Sequence, residues 1–216
     1  MAATAPQTFV DLKNLVRIHL KKILQLDKIT TKVPMNAAAL LIVIAYEALS
    51  KFLHPRKGPE FLFAREYHAR HDVPVSIGGA IFDALRNGVA HRYNPYPIAV
   101  EGIGEIQLEL AWKDCAAYHL RGIGIETVKG HQKVRRFPKG STEVPRALCL
   151  NVDSMWRDLD DLFGRYERSL RDDVNLASRF QVNAKNNLEG FTKKAVGDAA
   201  CQWRDFLIAR RVEEAE

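Results

Sequence analysis

From Pro34 to Lys51 the chain reads PMNAAALLIVIAYEALSK, a nearly unbroken apolar run whose first charge is Glu47. A helix without a polar face has no place on the surface of a globular domain; it belongs in the middle of a bundle, with other helices around it. The purely apolar part, Ala37–Tyr46, is about ten residues long, half of the roughly twenty that a bilayer requires. Pro34 predicts a break and Asn36 an N-cap behind it. Glu47 and Lys51 stand four apart and are expected to pair at the end that emerges into water.

Helices to surround this one are legible on both sides. Phe9, Leu12, Val16, Leu20 and Ile23 recur at spacings of three and four, with Lys13, Lys21 and Lys22 off the stripe. His54-Pro55 and Gly58-Pro59 make a turn, a short helix is predicted over Glu60–His71, and Asp72 with Pro74 ends it. Ser76 is expected to cap a further helix that buries Ile77, Ala80, Ile81, Ala84 and Leu85 and is stopped by Asn94-Pro95 and Pro97. The period then changes to two. GEIQLELAW sets Ile106, Leu108 and Leu110 against Gln107 and Glu109, and GIGIETV and RALCLNV read as further strands. Residues 98–152 are therefore expected to form a small β-rich insertion. Helical pattern resumes at Asp153 with Met155, Trp156, Leu159, Leu162, Phe163 and Tyr166, and a last helix is predicted over Ala177–Val212, carrying Phe180, Leu188, Phe191, Val196, Trp203 and Phe206. The expected fold is mainly α: one domain over 1–216, a helical bundle with a β-rich insertion before its C-terminal helices.

A net charge of +6 and a pI near 9.3 favour an anionic partner, of which nucleic acid is the commonest. Cys115, Cys149 and Cys201 are odd in number and widely spaced, which argues against a disulfide framework and a zinc site and fits a reducing cytosol. The N-terminus lacks the charged start and apolar run of a signal peptide, so the expected location is cytoplasmic, with no membrane. P-loop, GxSxG, HExxH and GxGxxG patterns are missing, which removes the NTPase, serine hydrolase, zincin and dinucleotide-binding classes.

The remaining candidate for chemistry is Leu85–Tyr93, LRNGVAHRY. Arg86 and His91 sit five apart with Asn87 beside the arginine. Spacing alone carries little, since chance supplies about two such pairs in a chain with this many arginines and histidines, and Arg65 with His71 also matches. Context separates them: Arg86 ends a helix with a buried face, polar Asn follows, and prolines close the run. In this form the segment resembles the Arg-x4-6-His motif of HEPN domains, and the apolar helix ending in AYEALSKFL is similar to that family's core helix. The resemblance covers residues 36–95 well and the terminal helices loosely, and leaves the insertion uncovered. It implies a metal-independent endoribonuclease needing no cofactor, acting as a homodimer with both motifs on one cleft, in some relatives as a toxin or defence effector with an antitoxin or other protein partner. Arg86, Asn87 and His91 would then be catalytic. Non-catalytic modules that bind RNA, nucleotide or protein share the fold, so function rests on the site.

The residue types suit the implied reaction. RNA cleavage through the 2′-hydroxyl needs a base, an acid and positive charge on the phosphorane. Histidine titrates nearest neutrality, and arginine stays charged and can grip two phosphate oxygens. Helix geometry adds a condition, because five residues leave Arg86 and His91 roughly 140° apart on an ideal helix. Convergence requires arginine's reach, a turn loosened at Gly88, or a second protomer; glycine inside a helix marks an irregular turn or a close backbone contact. The basic run KGHQKVRRFPK is a candidate RNA-contacting arm through Lys133, Arg135 and Arg136, with Arg92 beside the motif; a solvated hairpin is the alternative. In AREYHARH, His68 and His71 suggest a metal pair but lack a third ligand.

Overall fold

A computed structural model describes residues 4–25, 32–92, 94–111, 116, 119–128, 131–135 and 142–190. Four helices come first: α1 (Gln7–Gln25), α2 (Lys32–Leu53), α3 (Phe61–His71) and α4 (Val75–Arg92). Five strands follow, β1 (Ile98–Val100), β2 (Gly104–Ala111), β3 (Arg121–Val128), β4 (His131–Arg135) and β5 (Ala147–Asn151), and then α5 (Val152–Asp172) and α6 (Val174–Gly190). The chain is mainly helical with a small mixed sheet.

As its composition demands, α2 is the hub: α1, α3, α4, α5 and α6 all pack against it. Pro34–Leu53 is long and apolar enough to cross a membrane by length and composition, but here half of it is buried by the neighbouring helices. Around α2 lie two aromatic groups. Phe9 meets Phe163 and Phe180 edge to face at 5.9 and 5.7 Å, while Phe63 stacks on Tyr67 at 4.0 Å and meets Tyr46 at 5.2 Å. Such pairs contribute roughly 0.5–1.5 kcal/mol each beyond the area they bury. The Lys51–Glu47 pair forms as expected, at 2.7 Å.

Two boundaries differ from expectation. α2 begins at Lys32, so Pro34 lies in its first turn, where its missing N–H costs nothing, and Asn36 is a buried residue inside the helix rather than its cap. α4 begins at Val75 and buries Gly78, Ile81, Phe82, Ala84, Leu85 and Val89, leaving Ile77 exposed. The reason is helix-on-helix contact: a Cβ on Gly78 would lie 2.9 Å from Ala64 Cα, so α3 and α4 touch backbone to backbone there and Ile77 is turned outward. Beyond Gly190, the predicted last helix lies outside the described residues, as do the side chain of Leu188 and all of Phe191, Val196, Trp203 and Phe206.

The insertion is a five-stranded sheet in the order β1-β2-β5-β3-β4. Hairpins join β1 to β2 and β3 to β4, and β2 and β5 are parallel in the register Leu108↔Leu148 and Leu110↔Leu150. β5 passes directly into α5. Asn151 ends the strand, and its side chain accepts hydrogen bonds from the backbone N–H (2.8 Å) and hydroxyl (3.0 Å) of Ser154. Asn151→Ala, which loses this cap, is expected to cost about 1–2 kcal/mol in urea unfolding, while Ser154→Ala, which keeps the backbone bond, costs less.

Candidate functional site

α4 is unbroken through Arg86–His91, and its end is clamped by the chain that follows. The Asn94–Pro97 segment turns back along the helix, and Tyr96 N–H donates to the Ala84 carbonyl at 3.0 Å. A Cβ on Gly88 would stand 2.2 Å from Tyr96 N and 2.6 Å from Asn94 O. Gly88 is thus required by the close approach of a second backbone, and it does not loosen the turn.

Arg86 is held from α2. Its Nε donates to Glu47 Oε2 at 2.6 Å, its Nη2 to Glu47 Oε1 at 3.2 Å, and its Nη1 to Asn87 Oδ1 at 3.3 Å. Burial raises the Glu47 carboxyl pKa, but the hydrogen bonds from Arg86 and Lys51 outweigh it and hold the group below its ordinary value. The hydrogen bond to Glu47 likewise keeps Arg86 charged beyond its ordinary range. The side chain is still 41 % exposed, although each of its three nitrogens already makes one hydrogen bond. Asn87 is half-buried and His91 exposed. Asn87 and His91, four apart, share a face, whereas no hydrogen bond joins His91 to either Arg86 or Asn87 among the described residues. Within one chain the motif is presented to solvent but not converged.

Of the expected RNA contacts, Arg92 is exposed and lies over the Tyr96 ring at 5.2 Å. Lys133 and Arg135 fall on β4, opposite Glu126 and Gly124 of β3, at the edge of the sheet. Their side chains, and all of Arg136, lie outside the described residues.

The other Arg–His pair has a different fate. Arg65 is exposed, while His71 Nε2 binds Asp158 Oδ2 of α5 at 2.7 Å. His68 Nδ1 instead contacts the Val73 carbonyl at 3.1 Å. Around Asp158 lies a polar cluster that pattern reading missed. Arg70 Nη1 donates to Asp158 at 3.2 Å and to Asp161 at 3.0 Å, and Glu66 pairs with Arg165. His119, from the turn before β3, brings its Nε2 to 4.0 Å from Asp158 Oδ2. No local signal links residues 71, 119 and 158; only the fold does.

Donor atoms of His71, His119 and Asp158 lie within 4.8 Å of one another, the spread of a metal-ligand set. Two features do not fit such a set. The His71–Asp158 contact of 2.7 Å is a hydrogen bond, shorter than the roughly 3.3 Å between two ligands on a tetrahedral ion with bonds of about 2.0–2.1 Å. The His119 Nδ1 accepts the Asn151 backbone N–H at 3.0 Å, which puts the neutral ring's proton on Nε2, where a ligand must offer a lone pair.

Comparison with protein-family models, with curated proteins and with solved structures finds no match to this chain.

Proposed function

We propose that this chain is a HEPN-type, metal-independent endoribonuclease that acts as a homodimer, with Arg86, Asn87 and His91 at its site. The observation that carries the reading is an apolar stripe beside the motif. On α2, Ala37 and Ile44 are exposed, Ile44 by 47 %, and Leu40, Leu41 and Ala48 are partly so. Spacings of three and four put them on the face that also carries Glu47, the anchor of Arg86. A core helix that leaves such a stripe in water is suited to an isologous contact, in which a second copy covers the same stripe. That contact would supply a second protomer, one of the routes by which Arg86 and His91, about 140° apart on one helix, can act on the same phosphate.

In this reading the exposed guanidinium of Arg86 binds the scissile phosphate through the N–H groups that Glu47 and Asn87 do not take. One His91 takes the ribose 2′-OH proton as the 2′ oxygen attacks phosphorus, and the partner's His91 protonates the departing 5′ oxygen. The products are a 2′,3′-cyclic phosphate and a 5′-hydroxyl. Arg92, exposed beside the motif, gives the RNA a further phosphate contact.

The two hydrogen bonds between Glu47 and Arg86 favour a second reading, a non-catalytic HEPN-like module that binds RNA through the same surface. Sedimentation velocity and RNA cleavage in EDTA distinguish the two. The wild type is expected to be a dimer that cuts RNA, and Ile44→Glu a folded monomer at least tenfold less active. A wild type that binds RNA in a salt-sensitive way without cutting it supports the second reading. An uncut and unbound RNA, or an active monomer, overturns the proposal.

A further inference from the structure

The His119–Leu120 turn leads into β3, which is itself paired with β5 through Arg121↔Cys149, Gly122↔Leu148 and Ile123↔Ala147, and the turn has ties of its own. β1, β2 and β5 pack directly on α4, α2 and α5, whereas β3 and its hairpin partner β4 follow the His119–Leu120 turn. Leu120 there has φ +57, a left-handed conformation that is costly for a residue with a branched side chain and persists only where its surroundings enforce it. Its N–H is tied to the Cys149 carbonyl at 2.8 Å. A second tie of the turn, beside the β3–β5 ladder, is the His119 side chain, 6 % exposed, which takes the Asn151 N–H on Nδ1.

The ring is enclosed on all sides. From α3, Tyr67 lies edge-on at 6.1 Å and His71 at 5.3 Å between centroids. From α5, the Asp158 carboxylate stands 4.0 Å from Nε2, itself engaged by His71 and by Arg70. Nε2 is buried with no hydrogen-bond partner among the described residues, and so are the hydroxyls of Tyr67 and of Tyr46, which feels the Asp158 charge. A backbone N–H cannot reverse, so Nδ1 must remain an acceptor for the turn to stay docked. A proton on Nδ1 would meet the Asn151 N–H head-on and set a cation 5.3 Å from the His71 ring, with only an already shared carboxylate to offset it.

We infer that His119 is an acid-released latch: neutral, it fastens the turn that leads into β3 against the β5–α5 joint, and protonation of its Nδ1 frees the turn. Burial first, and the facing His71 second, hold the docked imidazole down at about 4 against an ordinary value of 6.5, with Asp158 opposing. A folded-state value below the free one means the stabilisation is complete above about 6.5 and is lost as pH falls toward 4. The ratio of docked to released turn therefore falls about tenfold per pH unit across that window, on the order of 300-fold in all. The latch is independent of the ribonuclease reading, because none of its residues belongs to the Arg86–His91 motif.

Hydrogen exchange of the full chain at pH 7 and pH 5, corrected for the intrinsic rate, tests it. Amides of Leu120 and of Asn151, the two that dock the turn, are expected to lose at least tenfold in protection relative to those of α2. His119→Phe fills the space but cannot be protonated, and the protection of these two amides is expected to be independent of pH. Equal change in these amides and in the helices, or an unaltered pH slope in His119→Phe, overturns the latch. Should that variant not fold, nitrogen-15 NMR of the wild-type histidines decides: a neutral Nε2–H ring for His119 at pH 5 in the docked form supports the latch, and an Nδ1–H or protonated ring refutes it.

Discussion

Gly88→Ala is expected to destabilise the fold by about 2–3 kcal/mol, more than most single methyl additions. Alanine is the better helix former by about 1 kcal/mol, so propensity alone would predict a gain. Sterics reverse the sign. The new methyl would lie 2.2 Å from Tyr96 N, 2.6 Å from Asn94 O and 2.7 Å from Pro95 C, all backbone atoms that no rotamer change can move. Either the returning segment lifts off and the Tyr96–Ala84 hydrogen bond breaks, or α4 shifts against α2 and α3. Urea unfolding measures the loss, and Ala90→Gly, on the exposed side of the same helix, serves as the opposite control at about 1 kcal/mol. A neutral or stabilising Gly88→Ala would mean that residues 94–96 do not lie against the helix.

His91→Ala is expected to lower RNA cleavage by 10²- to 10⁴-fold, the range that a positioned acid–base group supplies, with little change in stability because the residue is exposed. Arg86→Ala is expected to abolish cleavage as well, but it also leaves the part-buried Glu47 with only Lys51, so its effect on unfolding must be measured beside its effect on rate. Arg86→Lys separates the two: it keeps a charge near Glu47 but cannot offer a planar pair of donors to phosphate. Its stability should recover more than its activity. Assays in EDTA, with the product ends identified as 2′,3′-cyclic phosphate, check the mechanism. Equal cleavage by wild type and His91→Ala would sink it.

What was legible in the sequence and what was not divides along physical lines. The central helix was readable because a segment that is apolar all round has only one environment available, and the pairing of Glu47 with Lys51 needed only helical spacing. The strands at Gly104, Arg121 and Ala147 announced themselves by period and by glycine and proline boundaries. The start of α2 was misplaced because proline both breaks helices and suits their first turn, and only the surroundings decide between these. The outward turn of Ile77 depends on Gly78 meeting Ala64, a fact of two helices rather than of one. For the proposed site, the sequence offered Arg86, Asn87 and His91 by pattern, and Gly88 as marking either an irregular turn or a close backbone contact; the contact is what the fold supplies, through residues 94–96. The partner of Arg86 lies 39 residues upstream and the partners of His71 lie 48 and 87 residues downstream, separations over which no periodicity carries information.

Asn151 is also the joint between the two halves of the molecule. Strand and helix share that residue as end and cap, and β5 is the middle strand of the sheet, flanked by β2 and β3. About four turns beyond that joint α5 carries Glu167, which pairs with Lys13 of α1 at 2.7 Å. The centre of the sheet and the first helix are thus joined through a single continuous segment, β5–α5.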